Sequence, residues 1–148
     1  MVQYVTYDAV VAINAEFGGS GAGVNDENGI RSAVGQPSQA WGGDDLYPTL
    51  WHKAAVLMRG LAATQYFSDG NKRTSYLSGI TFLELNGIRM RRVETIYSEV
   101  FVLGLAAGAI KVNKAAEWLW ATESTRSRLS RRVRGDAVAW VDAEGPDE

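Results

Sequence analysis

The sequence predicts an all-α domain. Apolar residues recur at three- and four-residue spacing along most of the chain, which is the period of a helix face. Glycine-containing stops at Gly18-Gly19, Asn86-Gly87 and Gly108 divide those periodic stretches, and capping residues such as Thr6 and Asn113 stand where new stretches begin. Thr6 caps a first helix carrying Val10, Ile13 and Phe17, and Gly18-Gly19 ends it. Residues 18–45 are rich in Gly, Asp, Asn and Ser and include Pro37, so they read as a long loop with one short helix near residues 30–34. Loops of this length in small domains often carry function. Pro48 suits the first turn of a second helix, along which Leu50, Ala54, Leu57, Met58 and Leu61 form one apolar stripe.

A loop over residues 67–72 precedes a third helix expected to run from about Thr74 to Leu85. That helix is apolar on several sides (Leu77, Ile80, Phe82, Leu83, Leu85) and is expected to be central and buried. Asn86-Gly87 stops it. A fourth helix spans residues 95–107 and ends at Gly108, and Asn113 caps a fifth with Ala116, Leu119 and Trp120. No internal repeat is visible. Residues 124–134 then hold five arginines (Arg126, Arg128, Arg131, Arg132, Arg134), followed by an apolar patch over residues 137–141 and an acidic end. A solvated helix followed by a frayed tail is the simpler reading. A docking segment for an acidic partner or nucleic acid is the alternative. The chain thus divides into a domain over residues 1–122 and an extension over 123–148.

At 148 residues, 46% of them hydrophobic and with five Trp, the chain can build one packed core. No apolar run approaches the roughly 20 residues of a membrane helix, and the start lacks a signal-peptide pattern, so a cytoplasmic protein without membrane association is expected. The absence of Cys excludes disulfides and thiolate chemistry. A net charge of −2 argues against general nucleic-acid binding as the main task. The single histidine, His52, excludes a multi-histidine metal site; it lies over three helical turns before Gln65 and is read as structural.

The chemistry concentrates in Phe67-Ser68-Asp69-Gly70-Asn71-Lys72-Arg73-Thr74. Glycine followed by polar and basic residues at a helix start suits phosphate, because orphan N–H groups and the helix dipole both face the anion. Gly70 lets the backbone approach closely, and Lys72 and Arg73 add two charges. A carboxylate beside phosphate is repulsive unless Mg²⁺ lies between them, so Asp69 points to a nucleoside di- or triphosphate with Mg²⁺. The same string also fits an ordinary turn with Asp or Asn capping the next helix.

The stretch Gln65-Tyr66-Phe67-Ser68-Asp69-Gly70-Asn71-Lys72-Arg73-Thr74 resembles the core motif of the Fic/Doc family, specifically its Doc (death-on-curing) subgroup. The flanks agree: Gly23-Val24-Asn25-Asp26-Glu27 with Arg31, Ser32 and Ala33, then Gly42-Gly43-Asp44-Asp45-Leu46-Tyr47-Pro48-Thr49, Phe82-Leu83-Glu84-Leu85-Asn86-Gly87 and Leu105-Ala106-Ala107-Gly108 follow in family order, over roughly residues 4–120. The resemblance implies a Fic-type helical bundle with a small β-hairpin flap beside the site, expected within residues 32–41. It implies ATP and Mg²⁺ as cofactors, with Asp69 on the metal and Phe67, Gly70, Asn71, Lys72 and Arg73 on the nucleotide. Gln65, Asp69 and Arg73 hold the catalytic positions. Fic enzymes transfer AMP to a protein hydroxyl, whereas Doc-type members look like kinases that phosphorylate elongation factor Tu and are neutralised by an antitoxin with a disordered C-terminal segment. Lys72, where most Fic enzymes have Gly, places the chain with the Doc subgroup.

Gln65 stands where the family has its histidine base. A neutral amide has no protonation equilibrium near pH 7, so transfer is expected to be impaired while binding survives. Tyr66, with an unperturbed pKa of about 10, is a poor substitute. Gln65 is either an introduced inactivating change or the mark of a naturally degenerate member, and the further departures at Thr64 and Tyr66 favour the latter. The readings are therefore an impaired Doc-type toxin, a catalytically dead module binding nucleotide or a protein, and an AMP transferase. The family's inhibitory Ser/Thr-x-x-x-Glu-Gly/Asn pattern is missed twice, at Trp140 before Glu144-Gly145 and at Gly23 before Glu27-Asn28. No built-in inhibitor is expected.

Overall fold

The structure, a computed structural model, describes residues 1–135. Among them are α1 (Tyr7–Phe17), α2 (Glu27–Gly35), a 3-10 turn (Gln36–Ser38), strands β1 (Ala40–Trp41) and β2 (Asp44–Asp45), then α3 (Leu50–Ala62), α4 (Asn71–Leu85), α5 (Thr95–Ala106), α6 (Val112–Thr122) and α7 (Thr125–Arg134). The fold is all-α with one small antiparallel hairpin, as the resemblance implied. None of these helices is long and apolar enough to cross a membrane.

Local chemistry explains the helix starts. The Thr6 hydroxyl accepts from the Ala9 N–H at 3.1 Å, and the Asp26 carboxylate accepts from the Gly29 N–H at 2.9 Å. That second cap begins α2 several residues earlier than the expected short helix over 30–34. Thr49 caps α3, so Pro48 lies just outside the helix rather than in its first turn. Lys111, not Asn113, is the cap position of α6; Asn113 lies inside that helix, and its amide oxygen accepts from His52 Nε2 at 3.0 Å.

The centre of the bundle is α3, not α4 as its apolar composition suggested. Trp51, Ala54, Ala55, Val56, Leu57, Met58 and Leu61 are all buried, and α3 packs against α2, α4, α5 and α6. The buried face of α4 is mostly small: Thr74, Ser75, Ser78 and Gly79, with Phe82 and Leu83 further along. This lets α3 and α4 approach closely. The Ser75 hydroxyl donates to the Met58 carbonyl at 2.7 Å, and a Cβ on Gly79 would sit only 2.1 Å from Met58 Cε. Leu85 points outward.

The hairpin pairs Ala40 with Asp45 and Trp41 with Asp44 around a Gly42-Gly43 turn. The flap thus lies at residues 40–45; most of the expected 32–41 segment belongs to α2 and the 3-10 turn. Lys53, 1% exposed, fastens it to the first turn of α3 by donating to the Tyr47 and Pro37 carbonyls and to Asp45 Oδ2 at 3.0 Å. Three acceptors satisfy the buried ammonium.

The arginine-rich segment is only partly a solvated helix. Arg126, Arg132 and Arg134 are exposed, but Arg131 is buried against Glu123, also buried. Arg131 Nε donates to Glu123 Oε2 at 2.8 Å, its Nη2 donates to Oε1 at 2.5 Å, and the Ser127 hydroxyl donates to Oε2 at 2.7 Å. The expected frayed tail, with its apolar patch and acidic end, lies outside the described residues.

His52 is structural, as read from its place in the second helix. An amide oxygen only accepts, so Nε2 carries the hydrogen toward Asn113 and Nδ1 accepts from the Thr49 hydroxyl. Burial, with help from the Lys53 charge and against the Asn113 hydrogen bond, holds its pKa below the usual 6.5. An unfolded His52 takes a proton near pH 6.5 while the folded one resists, so the unfolded chain binds more protons and stability falls as pH drops through that value. Urea midpoints measured from pH 7.5 to 5.5 should fall, and His52→Gln should flatten the drop.

Candidate active site

The loop between α3 and α4 is held from three sides. An isolated antiparallel bridge joins Val24 to Phe67; the Ser68 N–H donates to the Gly23 carbonyl and the Asn25 N–H to the Tyr66 carbonyl, each at 2.8 Å. From α1, the Asn14 amide nitrogen donates to the Asp69 carbonyl at 2.8 Å and to Thr74 Oγ1 at 3.0 Å, while its oxygen accepts from the Gly23 N–H. Within the loop, Asn71 closes on Phe67. Its Oδ1 accepts from the Phe67 N–H at 3.0 Å and its Nδ2 donates to the Phe67 carbonyl at 2.9 Å. Asn14, 2% exposed, was missed by sequence reasoning. The signal was a polar residue on the apolar face of the first helix, beside Val10 and Phe17.

Gly70 caps α4 in the left-handed region at φ 75°. A Cβ there would sit 2.3 Å from the Gly18 Cα, so both its dihedral and its neighbour require glycine. No side chain caps α4, which leaves its first N–H groups facing outward with the positive end of the helix dipole. Lys72 and Arg73 make no ion pair among the described residues. Two unpaired cations and an uncapped helix start form an anion cradle.

A cavity of about 670 Å³ opens over this cradle. Gln65, Asp69, Gly70, Asn71, Lys72 and Arg73 all line it, so the structure brings these expected site residues together. Glu99 and Leu103 of α5 and Phe17 and Gly18 from the end of α1 also line it; sequence spacing gave no sign of them. The hairpin strands are not among its lining residues. Phe67 is 1% exposed and belongs to the hydrophobic core, so its side chain anchors the loop. Both polar ends of the Asn71 side chain are spent on Phe67, leaving its main-chain N–H for an anion.

Asp69 Oδ1 accepts from the Gly70 N–H at 2.8 Å. Its Oδ2 lies where a Cβ on Gly19 would come within 3.1 Å, so glycine keeps that oxygen uncovered. No cluster of three or more His, Cys, Asp or Glu occurs among the described residues. One open carboxylate beside an anion cradle fits the Mg²⁺ mode in which phosphate oxygens and water supply the other ligands, and not an all-protein cage.

The site is thus an anion cradle beside an open carboxylate at a helix start, set in a helical domain. The Fic/DOC family model matches residues 4–83, and the chain belongs to this family. It is similar to the Toxin Doc of Mycolicibacterium smegmatis (strain ATCC 700084 / mc(2)155), with 37% identity over 99 residues that cover 63% of this chain and 75% of that protein.

Proposed function

We propose that the chain is a Doc-type toxin whose site serves phosphoryl transfer from ATP to a protein hydroxyl, and that Gln65 impairs the transfer. The observation that carries this reading is the cradle itself: unpaired Lys72 and Arg73 at the uncapped start of α4, beside the open Asp69 carboxylate. Asp69 would hold Mg²⁺, which would supply neutralisation of charge on the triphosphate. Lys72 and Arg73 fix the phosphates and stabilise charge that builds up on them. The target oxygen attacks the terminal phosphorus, the bond to the bridging oxygen breaks, and ADP leaves. The hydroxyl proton must go to a base, and Gln65 has no site for it at neutral pH.

Elongation factor Tu is the target that the family resemblance favours, and an antitoxin with a disordered C-terminal segment is the partner. Lys72, a bulky cation where AMP-transferring relatives have glycine, argues against adenylylation. A second reading, a pseudoenzyme that binds nucleotide or a protein without reacting, is favoured specifically by Gln65.

Titration calorimetry with Mg–ATP on the parent chain and on the Asp69→Ala/Lys72→Ala variant tests the cradle. Binding should weaken by about ten- to hundredfold in the variant, the range expected for a lost charged hydrogen bond. Equal binding by both would remove the phosphate site from these residues.

A further inference from the structure

Charge is unevenly spread along this chain. The described residues after α4, 86–135, hold ten Lys and Arg against four Asp and Glu, a local net charge of +6 in a chain whose total is −2. Eight of the ten are arginines. Arg128 and Arg131 are paired with the buried Glu123. Arg89, Arg91, Arg92 and Arg126 are exposed and make no ion pair among the described residues.

The fold gathers these four from two segments. An isolated antiparallel bridge joins Met90 to Glu123. The Arg91 N–H donates to the Thr122 carbonyl at 2.7 Å, and its guanidinium donates to the Ala121 carbonyl at 3.1 Å. The Ser124 N–H donates to the Arg89 carbonyl, and the Arg89 N–H donates to the Ser127 hydroxyl, each at 2.9 Å. Residues 89–91 therefore lie along the α6–α7 junction, with Arg92 next to them and Arg126 in the first turn of α7. Like charges held close repel one another, and a bound polyanion relieves that repulsion.

An open recess of about 320 Å³ lies beside them, and Arg91, Arg92, Glu94, Tyr97 and Trp118 are among the residues that line it. Tyr97 is 63% exposed, so an aromatic ring stands in solvent next to two guanidinium groups. Trp118 is half-buried and backed by Phe101, with ring centroids 4.2 Å apart and planes 23° from parallel. We infer that this surface binds single-stranded nucleic acid, with phosphates on the arginines and a base stacked on the aromatic rings of the recess.

The chemistry of the recess selects this ligand. A polar groove of cations interleaved with exposed aromatic rings is the pattern that single strands use, because every base has a face to stack. An acidic protein would need the arginines but not the rings, and a duplex keeps its bases stacked inside. Glu94 would repel a phosphate, but it accepts from the amino group of cytosine, adenine or guanine, so it favours such a base in the recess over uracil. The recess shares no lining residue with the cavity over the cradle, and the inference does not depend on phosphoryl transfer.

Fluorescence anisotropy with a labelled cytidine RNA of about twelve nucleotides tests the assignment on the full chain, with excess Mg–ATP present to compete at the cradle. The expected Kd is on the order of 10⁻⁵ M at about 50 mM salt. The salt slope should be about −0.7 per phosphate contacted, and Arg92→Gln/Arg126→Gln should make it shallower by about 1.4. Tyr97→Ala should weaken binding by about tenfold at an unchanged slope, the scale of one stacked base. A uridine RNA of the same length should bind less tightly, and Glu94→Gln should narrow that gap. All four substituted side chains are exposed, so the variants should keep the parent's urea midpoint. No binding by the parent, or binding that both the arginine and the tyrosine variants leave unchanged, would overturn the inference. A duplex that binds as tightly as the single strand would overturn it too. So would an oligoglutamate that displaces the RNA while Tyr97→Ala has no effect, an outcome that would give the surface to an acidic protein.

Discussion

On the proposed function, Gln65→His should raise phosphoryl transfer to a protein hydroxyl by about 10²–10⁴-fold, the usual contribution of a positioned general base. The gain requires no rebuilding of the site. Gln65 is exposed, lines the cavity over the cradle, and its side chain has no hydrogen bond among the described residues. An imidazole there meets no packed neighbour that must give way, and its ordinary pKa of about 6.5 leaves it unprotonated and able to accept at neutral pH. Incubation with purified elongation factor Tu and ATP labelled at the γ position reads the reaction directly. Label from the α position in its place would mean AMP transfer. If Gln65→His binds Mg–ATP as the parent does and yet labels nothing, the pseudoenzyme reading gains over the toxin reading. In cells, the same substitution should arrest growth, and co-expression of a cognate antitoxin should relieve the arrest.

Glu123→Ala should destabilise the fold by about 3–5 kcal/mol, the range for breaking a buried ion pair from one side. Glu123 is 3% exposed and accepts from Arg131 through both oxygens, and from the Ser127 hydroxyl. Removal of the carboxylate takes both Glu123 oxygens from the Arg131 guanidinium, itself 2% exposed, at the α6–α7 junction. The expected result is a large fall in the urea midpoint with little change in slope. The double variant Glu123→Met/Arg131→Leu should recover much of the loss, because an apolar pair of similar volume avoids the buried charge. A cost below 1 kcal/mol for Glu123→Ala would mean that water reaches the pair and that α7 is held by other contacts.

Much of this molecule was legible from local chemistry. Thr6 as a cap, the stops at Gly18-Gly19, Asn86-Gly87 and Gly108, and the stripe from Ala54 to Leu61 all rest on interactions within a few residues, and each is found in the structure. Which helix occupies the centre was not legible. Composition pointed to α4, but a helix packed tightly against a neighbour uses small residues, so its bulky side chains are free to face elsewhere. Leu77 and Ile80 line a cavity and Leu85 faces solvent. The buried Lys53 and Arg131 were invisible for a related reason: a charged residue is read as exposed until its acceptors are known, and those come from Pro37, Asp45 and Tyr47 in one case and Glu123 in the other. The site divides in the same way. Residues 65–73 form one contiguous string and could be read together, whereas Phe17, Gly18 and Glu99, which line the cavity, and Asn14, which braces the loop, come from segments far away in sequence and leave no spacing to read.

The lock between Asn71 and the main chain of Phe67, with Asn14 bracing the loop from α1, separates two kinds of selection on this stretch. Replacing Asn14, Gly70 or Asn71 breaks hydrogen bonds or creates a backbone clash inside the fold, so these positions answer to folding before they answer to catalysis. Position 65 carries no such duty and is free to drift. A lineage that lost its chemistry would shed the base first and keep Asn14, Gly70 and Asn71 for the sake of a folded domain. In such a protein the persistence of Gly70 and Asn71 records architecture, whereas Asp69, Lys72, Arg73 and the residue two places before Phe67 record activity.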